Sequence, residues 1–275
     1  MFTIGIYLKA VIIAIVEGLS EFIPISSTGH MILVGDLIQF TGEKAATFEI
    51  FIQLGAILAV VVIYWEKFTG LIPVKRAEDS WTQAVFFNRS YPTNLQILVA
   101  IVPFLIVGFF AHKYIKLYLF NPVTVAIGLI VGGILMIVVE KLPLTFKAKK
   151  LDQISLKQAF LVGLGQCAAV WPGMSRSGST MITGLLVGVK HKPVADFSFI
   201  IAVPVMCAAV GYDLLKSYHL LEPTDIPYFA LGFLVSFLVG WASVKWFLKV
   251  LTTIKLIPFG IYRIILGVFS LWFFS

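Results

Sequence analysis

Six apolar stretches of roughly twenty residues limit this chain more than any other feature, because a helix of that length crosses the hydrocarbon core of a bilayer. They run over 48–65, 93–111, 120–139, 197–215, 226–244 and 256–274. Of the 275 residues, 59% are hydrophobic and 13% are charged, about half the charged share of a soluble domain. One core cannot hide that much apolar surface from water, so a soluble single-domain fold and intrinsic disorder are both excluded. The formal charge of +7 fits lysines gathered in loops on one side of a membrane, and no nucleic-acid partner is expected. Cys167 and Cys207 lie in apolar stretches and read as small core residues. Glu17 and Glu21 follow the first apolar run where a signal-peptide cleavage site would need small residues, so no cleavable leader is expected.

Two further regions are apolar but broken. The first, about 5–40, is interrupted by Glu17, Glu21, Pro24 and the run from Ser26 to His30; the second, about 158–190, by Pro172, Gly173 and the run from Ser175 to Thr180. Neither half of such a region is long enough to span. Each region therefore reads as a re-entrant helical hairpin, its polar turn tolerable at depth only if buried in protein or lining a wet cavity. A shift of 149 residues places Ser26 on Ser175, Gly29 on Gly178, Gly35 on Gly184, Phe48 on Phe197 and Lys67 on Lys216. The order hairpin, span, span, span then occurs twice. The expected fold is an all-α polytopic membrane protein of two repeats, 1–142 and 143–275, in one integral membrane domain.

A hairpin returns to its own side and three spans change sides, so the two repeats come out inverted. Lys67, Lys75, Arg76, Arg89, Lys141, Lys147, Lys149, Lys150, Lys157, Lys190, Lys192, Lys245, Lys249 and Lys255 gather on one face, against Lys9, Lys44, Lys113, Lys116 and Lys216 on the other. The positive-inside rule makes the first face cytoplasmic and puts both termini outside the cell. His112, His191 and His219 read as solvated histidines near loops, and Tyr64, Trp65, Tyr91, Trp246 and Trp272 as interfacial aromatics.

Charged groups at membrane depth are functional candidates, since each costs about 2.5–3.5 kcal/mol to insert. Glu17 and Glu21 stand four apart on an apolar helix, so they share a face and repel. Protonation of one, or a hard cation such as Mg²⁺ or Ca²⁺ on both, would relieve that repulsion. Ser26, Ser27, Thr28 and Gly29 offer hydroxyls and free amides at a helix break, and the spacing of Ser27 and His30 suits a nucleophile and its base, or a capping turn with a satisfied histidine. In the second turn Arg176 is the only basic residue, flanked by Gly173, Ser175, Ser177, Gly178, Ser179 and Thr180. Its planar fork matches a phosphate, and pairing with Glu17 or Glu21 is the structural alternative. The run mimics a P-loop but lacks the lysine and the preceding strand. Gln166 falls on Glu17 under the same shift and is placed in the same cavity, and Arg263 is expected to pair with a carboxylate or carbonyl within the bundle. Together these groups form an inventory for an anionic phosphate headgroup on a lipid.

The run Glu17-Gly-Leu-Ser-Glu21, then Pro24-Ile-Ser-Ser-Thr-Gly-His30, then Pro172-Gly-Met-Ser-Arg-Ser-Gly-Ser-Thr180 resembles the signature of the undecaprenyl pyrophosphate phosphatases linked to bacitracin resistance. The likeness covers essentially the whole chain. It implies hydrolysis of undecaprenyl pyrophosphate to undecaprenyl phosphate and phosphate, which recycles the carrier lipid for cell-wall polymers. It also implies a bacterial plasma-membrane location, a site open to the extracytoplasmic side, a divalent cation and homodimers. Carried over by motif, the catalytic set is Glu17, Glu21, Ser27, His30 and Arg176, with Glu17 and Glu21 as metal ligands. The alternative from another class is a flippase for polyprenyl phosphates using the same midplane site.

Overall fold

The computed structural model describes residues 5–74, 79–87, 91–114, 118–119 and 121–274. Lys75, Arg76, Arg89, Lys116 and Phe120 lie outside the described residues, as do the side chains of His112 and Lys113. Among the described residues the secondary structure is helical, apart from one isolated bridge between Ala148 and Val189.

The first broken region forms α1 (Ile6–Ser20) and α2 (Ser27–Leu37). At 1.5 Å per residue these 15- and 11-residue helices reach about 22 and 16 Å, too short to cross. After them come α3 (Glu43–Ile63), the short α4 (Trp65–Thr69) and α5 (Trp81–Phe86), then α6 (Asn94–Tyr114) and α7 (Pro122–Lys141). The second broken region forms α8 (Leu156–Gln166) and α9 (Arg176–Leu186), followed by α10 (His191–Ser217), α11 (Ile226–Ile254) and α12 (Ile257–Phe274). Six helices are long and apolar enough to span a membrane: α3, α6, α7, α10, α11 and α12. The chain is a multi-pass membrane protein.

Helix ends run past the apolar stretches that announced them. α11 continues ten residues beyond 244 because the added turns are amphipathic, with Phe247 and Leu251 buried while Lys245 and Lys249 are not. Pairs of helices meet where small residues let backbones approach: Gly55 of α3 lies against the Phe233 backbone, and Gly163 of α8 against Ala100. α3 packs on α10 and α11, α1 on α11, α6 on α8, and α7 on α12. Phe197, Phe199 and Phe247 anchor the larger core cluster, Phe48 and Phe229 the smaller. Large apolar side chains stay on the outside, such as Phe109 and Phe110, where lipid rather than water is the solvent. Cys207, expected in the core, sits exposed on that outer surface because it falls on the wrong face of α10. His191 also departs from expectation: it is half-buried, with Nε2 2.6 Å from Glu140 Oε1.

The turns of the two hairpins share one backbone. Ser26 (φ 71°) and Ser175 (φ 68°) both adopt the left-handed region, unusual for serine. Each caps the half-helix that follows, Ser26 Oγ accepting from Gly29 N at 3.4 Å and Ser175 Oγ from Gly178 N at 3.1 Å. The exits match as well: Phe40 N donates to Gly35 O and Val189 N to Gly184 O, past left-handed Gln39 and Gly188.

Candidate active site

Glu21 closes α1 and lies where the two turns meet. Its Oε2 accepts from Ser27 Oγ at 2.5 Å, and its Oε1 accepts from Arg176 Nη2 at 3.2 Å. Ser27 and Arg176 are each the first residue of a second half-helix, so the shared cap geometry brings a hydroxyl and a guanidinium onto one carboxylate. The Glu21 and Arg176 side chains are about one-tenth exposed. Arg176 also donates through Nη1 to Ser198 O at 3.2 Å, and its guanidinium stands 5.8 Å from the Phe22 ring centre. The repulsion expected between Glu17 and Glu21 is thus relieved on the Glu21 side by Arg176. Glu17 is buried, and its Oε1 has no hydrogen-bond partner.

A cavity of about 180 Å³ opens beside this pair. Glu21, Ser26, Ser27, Thr28, Gly173, Ser175 and Arg176 line it, together with Gln53 and the apolar Phe104, Val205, Met206 and Ala209. Most of the polar lining comes from the two hairpin turns, and the apolar lining from α6 and α10.

The hydrogen bond that the Ser27–His30 spacing invites does not form. His30 Nδ1 lies 2.8 Å from the Ser26 carbonyl, so that nitrogen carries the proton. Nε2 is then the acceptor for the Tyr262 hydroxyl at 2.7 Å, and the two rings stack at 5.6 Å. Both imidazole nitrogens are engaged, and the partner of Ser27 is Glu21.

Other residues singled out in the sequence stand behind the cavity wall. Ser177 Oγ donates to Ile23 O at 3.3 Å, tying the second turn to the first. Thr180 Oγ1 reaches the Ser198 hydroxyl at 2.6 Å, and Gly29, Gly178 and Ser179 are buried in their half-helices. Gln166 is fully buried with both amide atoms unpartnered, and does not line the cavity. Arg263 of α12 takes the carbonyl alternative: it donates to Gly128, Gly173 and Met174 at 2.8–3.2 Å and to Pro24 at 3.4 Å, which ties both turns and α7 to α12. A side chain at Gly132 would collide with that guanidinium.

The structure adds residues that motif reading missed. Gln53 lines the cavity, and Glu49, half-buried on the same helix, lies within electrostatic reach of Glu17. Glu49 and Gln53 stand four apart in an otherwise apolar span, the pattern that exposed Glu17 and Glu21, so this signal was present. Tyr262 and the Ser198 carbonyl had no comparable signal, since each acts through a contact distant in sequence.

Residues 10–269 match the family described as Bacitracin resistance protein BacA. The chain belongs to that family. A relative named Undecaprenyl-diphosphatase, from Maridesulfovibrio salexigens, is 49% identical over 266 residues, spanning 97% of this chain and 98% of its own length.

Proposed function

We propose that this member of the BacA family hydrolyses undecaprenyl pyrophosphate to undecaprenyl phosphate and inorganic phosphate. The observation that carries the reading is the Ser27–Glu21–Arg176 constellation on the wall of a cavity that α6 and α10 line with apolar side chains. It offers a hydroxyl with its base, and a cation for a diphosphate, to a substrate with an apolar tail. Family membership and the name of the close relative support the same activity. Neither carries the flippase alternative.

Arg176 binds the diphosphate, aided by the hydroxyls of Ser26, Thr28 and Ser175 on the wall. Glu21 accepts the Ser27 proton as Oγ attacks the terminal phosphorus. The P–O bond to the lipid phosphate breaks, undecaprenyl phosphate departs, and water then releases phosphate from Ser27. Proton transfer thus falls to Glu21 rather than to His30, which orients the turn through Ser26 and Tyr262.

A divalent cation suits the oxygen donors here. Glu17 Oε1 is buried without a partner, and Glu21 stands one turn away on the same face. Among the described residues no cluster of three or more acidic, His or Cys side chains is poised to hold a metal. Glu17 and Glu21 would therefore supply two ligands, with water and substrate oxygens completing the set, as Mg²⁺ permits. Such an ion would neutralise charge on the diphosphate.

Two inverted repeats, 1–142 and 143–275, remain our reading of the architecture. The matched turns support it, as do the exchanged partners: α1 lies on α11 while α8 lies on α6, its counterpart under the repeat. The lysine distribution favours extracytoplasmic termini and a site open to that side. The deciding experiment is phosphate release from undecaprenyl pyrophosphate by the purified full-length protein in detergent, with and without chelator. Absence of release under both conditions would refute the reading.

A further inference from the structure

A second cavity, of about 490 Å³, lies at the end of the bundle where α7 finishes and α10 begins. It is separate from the Glu21–Arg176 cavity: along α10 their nearest lining residues, Asp196 and Val205, are 9 residues apart, about 13 Å of helix. Five lysines converge on it: Lys149, Lys150, Lys190, Lys192 and Lys255. Among the described residues no carboxylate pairs within 4.0 Å with any of them. Asp196, the carboxylate on the wall, accepts the Tyr64 hydroxyl at 2.6 Å. Glu140, behind His191, is occupied by that imidazole and by the Leu256 amide. The first turn of α10 contributes to the wall and no side chain caps it.

The opposite end of the bundle supplies a control within the molecule. Under the 149-residue shift, the first turn of α10 falls on the first turn of α3. There Lys44 is balanced by Asp225 at 3.0 Å and Glu222 at 3.5 Å. Excess positive charge is thus a property of the α10 end, where five lysines face one wall carboxylate, Asp196, which is within electrostatic reach of Lys192.

Depth selects the ligand. The cavity takes its walls from the first residues of the α10 span and the last residues of the α11 span, which is where lipid headgroups lie. Leu151, Pro193 and Leu251 supply its apolar lining. We propose that this cavity is a binding site for the phosphate headgroup of an anionic phospholipid. The lysines supply the countercharge, and basic pockets between spans hold such headgroups elsewhere. The site also bears on α10 itself, whose Ser198 carbonyl, two turns further on, holds Arg176.

The test is native mass spectrometry of the purified full-length protein offered phosphatidylglycerol or phosphatidylcholine at equal concentration. The wild type is expected to retain phosphatidylglycerol at least about ten-fold more. K150Q/K190Q/K192Q is expected to lose that preference. K141Q/K147Q/K157Q, which removes equal charge from the same end but outside the cavity, is expected to keep it. Equal retention of both lipids by the wild type would overturn the proposal without any variant. Equal loss in the two triple variants would reassign the effect to general surface charge and overturn it too. Displacement of the lipid by millimolar inorganic phosphate would make the site one for free phosphate. Hydrolysis is not the readout, so failure here leaves the phosphatase reading intact.

Discussion

The two hairpin turns have one backbone and two chemistries. Each begins its second half-helix behind a left-handed serine that caps the third residue on. At the next position the first turn presents Ser27 and the second Arg176. The carboxylate both reach belongs to the first hairpin alone: the positions matching Glu17 and Glu21 in the second are Gln166 and Val170. Two similar loops therefore build one site, because each supplies what the other lacks. A symmetric pair would bring together two hydroxyls, or two guanidiniums with no carboxylate for either.

Substitutions can break this division of labour. Ser27→Ala removes the proposed nucleophile and should lower kcat by about 10⁴-fold or more, read as phosphate release at saturating substrate. Full activity in that variant would instead give the attack to water. Arg176→Ala leaves the nucleophile but deletes the cation, and a loss of about 10²–10³-fold is expected. Arg176→Lys should fall between, since an ammonium cannot reproduce the planar fork. Near-normal turnover in Arg176→Ala would remove the clamp from the mechanism.

Smaller effects test whether the turns are alike in energy as they are in shape. Ser26→Ala and Ser175→Ala each lose a cap and should destabilise by about 1 kcal/mol in thermal unfolding. Ser26→Gly and Ser175→Gly should cost only a few tenths, because glycine accepts the positive φ without strain. A large gap between the two sites would mean that one turn depends on its cap more than the other. Among the effects on turnover, the smallest expected is from Tyr262→Phe. It keeps the stack on His30 but deletes one hydrogen bond worth about 1 kcal/mol, so a few-fold fall in kcat/KM should accompany unchanged expression.

Six spans, two broken hairpins and the chemical character of both turns were readable in the chain, because hydropathy and helix breaks are local properties. Gln53 and Glu49 were readable too, at the i,i+4 spacing that gave away Glu17 and Glu21, but lie outside the motifs. What no local pattern holds is the choice of partner. Glu21 meets Arg176 across 155 positions, His30 turns from Ser27 to Tyr262 across 232, and Arg263 finds carbonyls of both turns. Each of those contacts exists only once the half-helices and spans are packed together. A buried polar group takes whichever partner the packing brings within about 3 Å, and that distance is a property of the assembled bundle.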